Sequence, residues 1–357
     1  MACTKVISLR NIYKRKGKEG MVLERQNNIS WLLEGRTYVN QATVNGVVDI
    51  VINDEGTYLI ANNIEAQRMI VEEFSYDVTV KEYPWYKPSS REQLIIELTG
   101  GQFVTDSECE NEIISLRLVM TPEQKITYYQ LGEDTADAIQ KTCMSIASGM
   151  TEFKVAGIMA KKCMEKGIEP IITLVASDER IKDYRHPLPT AKIIDKYVMM
   201  VIGGRRNGQI VCITRFVAFS ELSEEIKHRR DAVLNLDALL FQETRPGNRI
   251  DEIFNTLIQG YSTQGYPDEW KLHHQGGLTG YNSREYKANF DIDIVVKSGQ
   301  VYAWNPSITG FKAEDTFIVE DEKNVILTHT PELPYKIVEY GNKELKRPDI
   351  LVRRKLL

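Results

Sequence analysis

The 357-residue chain has no run of eighteen or more apolar residues, and a helix needs about that many to cross a bilayer. Its first residues, Met1-Ala2-Cys3-Thr4-Lys5, lack an apolar secretory core followed by a small-residue cleavage site, so a cytoplasmic protein is expected. Cysteine is scarce: Cys3, Cys109, Cys143, Cys163 and Cys212 are an odd five with no C-x-x-C pair and no partnered histidine spacing. Reduced thiols are therefore expected rather than a disulfide framework or a zinc knuckle. A basic stripe is also missing. Lys and Arg number 45 against 50 Asp and Glu, with the acidic excess spread along the chain, so neither nucleic acid nor a membrane is an expected partner. Solenoid-period repeats and low-complexity tracts are absent too.

What is present is enough apolar sequence, 42%, to bury a large core over two domains. Val47 to Ile52, the turn Asn53-Asp54-Glu55-Gly56, and Thr57 to Ala61 form a hairpin signature. A helix-period stretch from Ile64 to Phe74 follows, then an extended piece from Asp77 to Tyr83, then a loop through Pro84, Pro88 and Ser90. The pattern changes at Thr121-Pro122-Glu123, where Pro takes a first helical position and a long helix runs to about Ser148. The domain boundary is expected there, giving an α/β domain over 1–122 and a second over 123–357.

In the second domain Thr151 caps a helix that stops at Gly167. Two extended runs, Tyr197 to Ile202 and Gln209 to Phe219, should pair antiparallel across a turn containing Asn207-Gly208. Ser223 caps a further helix that ends before Arg245-Pro246-Gly247, and another from Asn248 buries Ile250, Ile253, Phe254 and Leu257. Strands and glycine-rich turns are expected after Gly260.

The order and spacing of several short elements resemble the pita-bread hydrolases, the group of creatinase, prolidase, aminopeptidase P and methionine aminopeptidase. The carriers are Gly149-Met150-Thr151-Glu152, Arg185-His186-Pro187-Leu188-Pro189-Thr190, Asn207-Gly208 before Ile213-Thr214-Arg215, and Arg245-Pro246-Gly247. Further on come His274-Gln275-Gly276-Gly277-Leu278-Thr279-Gly280, Asn305-Pro306 and Lys312-Ala313-Glu314-Asp315-Thr316. The stretch from Asn28 to Leu33, ending in Gly35-Arg36, resembles the N-terminal domain of creatinase-type members. The resemblance implies an α+β fold, with a creatinase-like N-terminal α/β domain before a pita-bread domain, and a homodimer.

Metal-dependent members hold two divalent ions with two aspartates, a histidine and two glutamates, because paired metals need bridging carboxylates. By the resemblance those positions fall at about Val201, then Cys212, Gly277, Asn305 and Glu314, so only the last keeps its carboxylate. The expectation is no bound metal and no cofactor; a single-ion site on His186, His273 or His274 has no ligand spacing in its favour.

The resemblance places His186 on the rim of the site as a possible acid or base; otherwise it is a histidine bonded in a proline-rich loop. One of His273 and His274 should face the cavity by strand alternation, unless the two form a structural pair. Glu314 is expected either in an ion pair with Arg215, Lys312 or Arg284, or as a base or a binder of a cationic substrate group. Asn305 could polarise a scissile group, with Trp304 as core or pocket wall. Arg284 stands where the family often has a second histidine and would suit a carboxylate; Tyr281 precedes it in the same segment. Cys212 is either a nucleophile or a buried inert thiol.

Two functions follow. One is a metal-independent hydrolase or lyase acting on a small charged amino-acid derivative at a C–N bond, as creatinase acts without metal. The other is a catalytically silent pseudoenzyme that binds a small molecule or short peptide, like the peptidase-like domain of a histone-chaperone subunit. An Xaa-Pro peptidase with an atypical metal site is a third reading.

Overall fold

The computed structural model describes residues 2–74 and 78–353, with side chains from residue 4 onward. Two compact units emerge: Met1–Arg117 with Asn207–Gln209, and Leu118–Arg206 with Ile210–Leu357.

The first unit runs α1 (Ala2–Arg15), β1 (Gly20–Arg25), α2 (Gln26–Leu33), β2 (Asn45–Asn53), β3 (Thr57–Asn62), α3 (Ala66–Arg68), β4 (Thr79–Tyr83), α4 (Ser89–Thr99), β5 (Phe103–Thr105) and α5 (Glu110–Arg117). The expected hairpin is β2 and β3, antiparallel with Ile50 opposite Leu59. The sheet order is β4-β3-β2-β1-β5. From Val48 to Asn53 every residue of β2 is buried, which requires cover on both faces. One cover is α4: its Ile95 packs with Val22, Val51 and Ile60.

Two expectations change here. The stretch from Ile64 to Phe74 is not one regular helix: α3 has three residues and widens into a π-turn over Met69–Glu73. Its last residue, Glu73, is buried, paired with Arg36 and Arg68. Ser90 lies in α4 rather than a loop; this helix buries only Ile95 and Thr99, so its apolar stripe is too thin to show in the sequence. Asp77, the expected start of an extended piece, lies outside the described residues, and β4 begins at Thr79.

In the second unit the helices are α6 (Pro122–Ser145), α7 (Glu152–Met164), α8 (Arg180–Asp183), α9 (Glu224–Glu243) and α10 (Ile250–Thr263). The capping residues read from the sequence act as caps: the side chains of Thr151 and Ser223 accept from the backbone N–H of Lys154 and Ile226. Pro122 takes the first helical position as expected, and Thr121 before it accepts from the N–H of Gln124. Gln124 answers Thr121 in a capping box. Strands β6 (Glu169–Ser177), β7 (Tyr197–Arg206), β8 (Gln209–Ala218) and β18 (Leu351–Val352) form a sheet ordered β18-β8-β7-β6. Between β7 and β8, Asn207 and Gly208 both have positive φ, at 49° and 83°, the geometry of a tight hairpin turn.

A second sheet is ordered β10-β9-β11-β14-β15, from β9 (Gly276–Thr279), β10 (Tyr286–Lys287), β11 (Val301–Trp304), β14 (Asp315–Ile318) and β15 (Val325–Ile326). Two short ladders, β12 (Ser307–Ile308) with β13 (Phe311–Lys312) and β16 (Tyr335–Tyr340) with β17 (Lys343–Pro348), complete the unit. An antiparallel bridge between Thr214 and Glu314 links β8 to the residue just before β14. Tyr128 of α6 donates to the carbonyl of Ile210 at 2.5 Å, fixing the start of β8 to the long helix.

Helix α6 also comes unusually close to the chain after β15. A Cβ on Gly132 would lie 2.5 Å from the carbonyl oxygen of Leu327. Alanine is normally worth about 1 kcal/mol over glycine in a helix interior, but this clash should outweigh it. Gly132→Ala is expected to destabilise the protein by about 1–3 kcal/mol in urea unfolding; a gain in stability would show that the contact is not tight.

Candidate functional site

A cavity of about 490 Å³ in the second unit is lined by both sheets and the loop after α8; its walls include Val201, Cys212, His186, His274, Arg284, Lys287, Asn305, Lys312 and Glu314. Alternation along β8 turns Cys212 and Thr214 to one side and Arg215 to the other.

Glu314 sits at the centre, 3% exposed. Its Oε1 accepts from Arg284 Nη2 at 2.7 Å. Its Oε2 accepts from Thr214 Oγ1 at 2.8 Å and lies 2.9 Å from Lys312 Nζ. Burial alone would raise this carboxyl; Lys312 and Arg284 outweigh it and hold the group down at about 2. Arg284 also donates to Cys212 Sγ at 3.4 Å, yet burial dominates there and pushes the thiol up.

Three imidazoles converge beside the clamp. His186 Nε2 and His273 Nε2 are 3.0 Å apart, and the His273 and His274 rings stack at 4.5 Å. The loop carrying His186 is held at both ends. Arg185 bonds Glu269 and Thr309 at 2.7 and 2.8 Å. The fully buried Glu152 accepts from the N–H of Thr190 at 3.0 Å and pairs with Arg180. Burial, then the charge of Lys312, lowers the His186 imidazole. Burial first, with nearby cations second, lowers His273 to about 2 and His274 to about 3.

Of the residues singled out from the sequence, His186, His274, Cys212, Arg284, Asn305, Lys312 and Glu314 line the one cavity. His273 is not among the lining residues; the expected strand alternation does not apply, because β9 begins only at Gly276 and the His273 and His274 rings stack on one another beside His186. Arg215 is a correction: it does not reach Glu314's carboxylate but pairs with Asp315 at 2.8 Å, with the Thr328 carbonyl and Thr330 Oγ1 also accepting from its guanidinium. Tyr281 is another: it is buried off the cavity, its hydroxyl accepting from Gln124 at 3.0 Å. Trp304 is core, donating to Thr244 Oγ1 at 2.9 Å. Sequence reasoning missed Lys287. Its place follows from the pairing of Lys287 with Gly277 in a two-residue strand, for which no local pattern gives a sign. Cys109, Cys143, Cys163 and Cys212 are buried free thiols; the Cys3 side chain lies outside the described part.

The two sheets, the covering helices and this polar cavity are those of a pita-bread domain. The chain belongs to metallopeptidase family M24, whose family model matches residues 129–329. Among relatives, the Bacillus subtilis (strain 168) protein named "Putative dipeptidase YkvY" is 25% identical over 254 residues, 68% of each chain. The fold is shared with an Xaa-Pro dipeptidase from Bacillus anthracis, with TM-score 0.77, 17% identity, and 99% and 100% of the two chains covered. It is shared equally with the prolidase from Pyrococcus horikoshii OT3, with TM-score 0.77, 17% identity, and 92% and 98% covered.

Four of the five positions that the family resemblance assigns to metal ligands, Val201, Cys212, Asn305 and Glu314, do line this cavity, but they do not fit a two-metal centre. Val201 has no donor atom, Asn305 is uncharged, Cys212 is held protonated by burial, and both Glu314 oxygens are engaged. At Gly277 φ is +143°, and a Cβ would fall 2.3 Å from the carbonyl of Tyr286. A histidine cannot be restored there without moving the backbone.

The depressed histidines have a stability consequence. An unfolded histidine titrates near pH 6.5, whereas folded His273 and His274 do so at about 2 and 3. As pH falls below about 6.5 the unfolded state takes up protons that the folded state refuses, so stability present at neutral pH is lost toward acid. The urea midpoint should fall between pH 7 and pH 5, and the fall should be shallower in His273→Gln and His274→Gln. An unchanged slope in both variants would place the acid sensitivity elsewhere.

Proposed function

We propose that this M24 member binds a small carboxylate-bearing compound, an amino-acid derivative or short peptide, without a two-metal centre, and that His186 moves a proton in cleaving a C–N bond. One observation carries the reading: three cations, Arg284, Lys287 and Lys312, line the cavity against the single carboxylate Glu314. Lys287 forms no ion pair among the described residues and is free to meet an anion. Asn305 adds a buried amide whose oxygen has no partner, a group able to orient the bound molecule. His186 stands at the exposed mouth as a neutral imidazole near neutral pH, the form that can accept a proton. A homodimer, carried over from the resemblance, and the cytoplasmic location expected from the sequence are part of the same reading.

Binding without turnover is favoured by a different observation. Glu314 is bound on both oxygens and Cys212 is held protonated, so the cavity offers no strong base or nucleophile besides its histidines.

Calorimetric titration with dipeptides and N-substituted amino acids, each alongside its C-terminal amide, tests the shared part. Carboxylates should bind more tightly, and Lys287→Ala should weaken them roughly tenfold, the loss of one charge-assisted contact. Amides that bind as well as acids would overturn the proposal. Turnover by the native protein that His186→Gln abolishes, with binding kept, selects the enzyme reading; binding with no product selects the silent one.

A further inference from the structure

We propose that His186, His273 and His274 form a mononuclear site for a late transition ion, zinc being the physiological example, separate from the five ligand positions of the family's two-metal centre. The three side chains each present a ring nitrogen, and these nitrogens lie within 4.8 Å of one another. A four-coordinate ion with Zn–N bonds of about 2.0–2.1 Å holds its nitrogens somewhat over 3 Å apart. The Nε2 atoms of His186 and His273 already stand at 3.0 Å, and the third donor needs a displacement of the order of a side-chain rotation.

Without an ion, His273 is poorly served. Its Nε2 meets only the Nε2 of His186, so one proton must serve both rings. An ion taking both Nε2 atoms replaces that contact with two donor bonds, each ring then keeping its proton on Nδ1. No proton is released or consumed in this change.

The donor set also selects the metal. Three neutral imidazoles suit zinc, copper or nickel, whereas manganese, magnesium and calcium prefer oxygen. Arg284, Lys287 and Lys312 oppose any cation nearby, which favours an anionic fourth ligand and rules out a second ion at close range. Because His186 is a ligand, occupancy removes its free lone pair. Inhibition of turnover by the ion rests on the role given to His186 above; the binding itself does not.

The test is zinc titration of the untagged full chain at pH 7.5 by calorimetry, with cobalt(II) absorption as a second readout. One saturable equivalent is expected, with the intense visible bands of four-coordinate cobalt. His273→Ala and His274→Gln should each weaken binding roughly 100-fold, while His228→Ala and His329→Ala, which alter the two remaining histidines, should leave it unchanged. Far-UV circular dichroism and urea midpoints establish that the variants are folded. No saturable binding, or binding that survives in folded His273→Ala and His274→Gln, overturns the proposal. A saturable site in a protein that turns over nothing would leave this inference standing and remove only the catalytic reading.

Discussion

Everything around the cavity depends on how one buried carboxylate is neutralised. Glu314 is fixed by its bridge to Thr214 and can neither leave the interior nor reach solvent. A charge in that position must be paired, because breaking a buried pair by removing one partner costs about 3–5 kcal/mol. In the metal-dependent relatives the resemblance assigns that duty to two divalent ions. Here Arg284 and Lys312 perform it, one on each oxygen, with Thr214 as an added donor. The clamp and a metal pair are mutually exclusive uses of the same two oxygens.

The surrounding changes form a consistent set once the clamp is in place. Arg284 spans from Glu314 to Cys212; a carboxylate at position 212 would give its guanidinium a second anion, and a metal would repel it. Val201 joins Ile172 and Leu174 as an apolar wall, which leaves no unpaired charge on that side. Gly277 lets its backbone pass close to Tyr286 and pair with Lys287, and the lysine reaches the cavity from that register. The positive charge that the resemblance assigns to metal ions in the relatives is matched here by fixed side-chain cations, and a cavity of that sign suits an anion.

Much of this was legible in the sequence for physical reasons. Thr151 and Ser223 announced two helices because an unsatisfied helix end needs a side-chain acceptor, and Pro122 announced a third because its missing N–H costs nothing in a first turn; both demands are local. Asn207-Gly208 announced its turn because few residue pairs accept two positive φ values. The cavity residues were found through ordered motifs, and seven of the ten lie on one wall system. The misses turn on contacts between parts of the chain distant in sequence. Arg215 was offered as a partner for Glu314, but alternation on β8 turns it to the far face and to Asp315. Tyr281 and Lys287 exchanged places relative to expectation because the side on which a residue falls after a glycine-rich turn depends on strand pairing. The Ile64–Phe74 stretch kept helical spacing but not helical hydrogen bonding, since Glu73 is committed to Arg36 and Arg68.

The most direct measurement compares thermal unfolding of the native protein and Glu314→Gln, each with and without millimolar manganese, an ion that three imidazoles hold poorly. The account predicts a melting temperature for the native protein that manganese does not move. The variant, left with two unpaired buried cations, should be less stable by about 3 kcal/mol in both conditions. A native protein strongly stabilised by manganese, with that gain lost in Glu314→Gln, would mean that Glu314 is a metal ligand and would contradict the account.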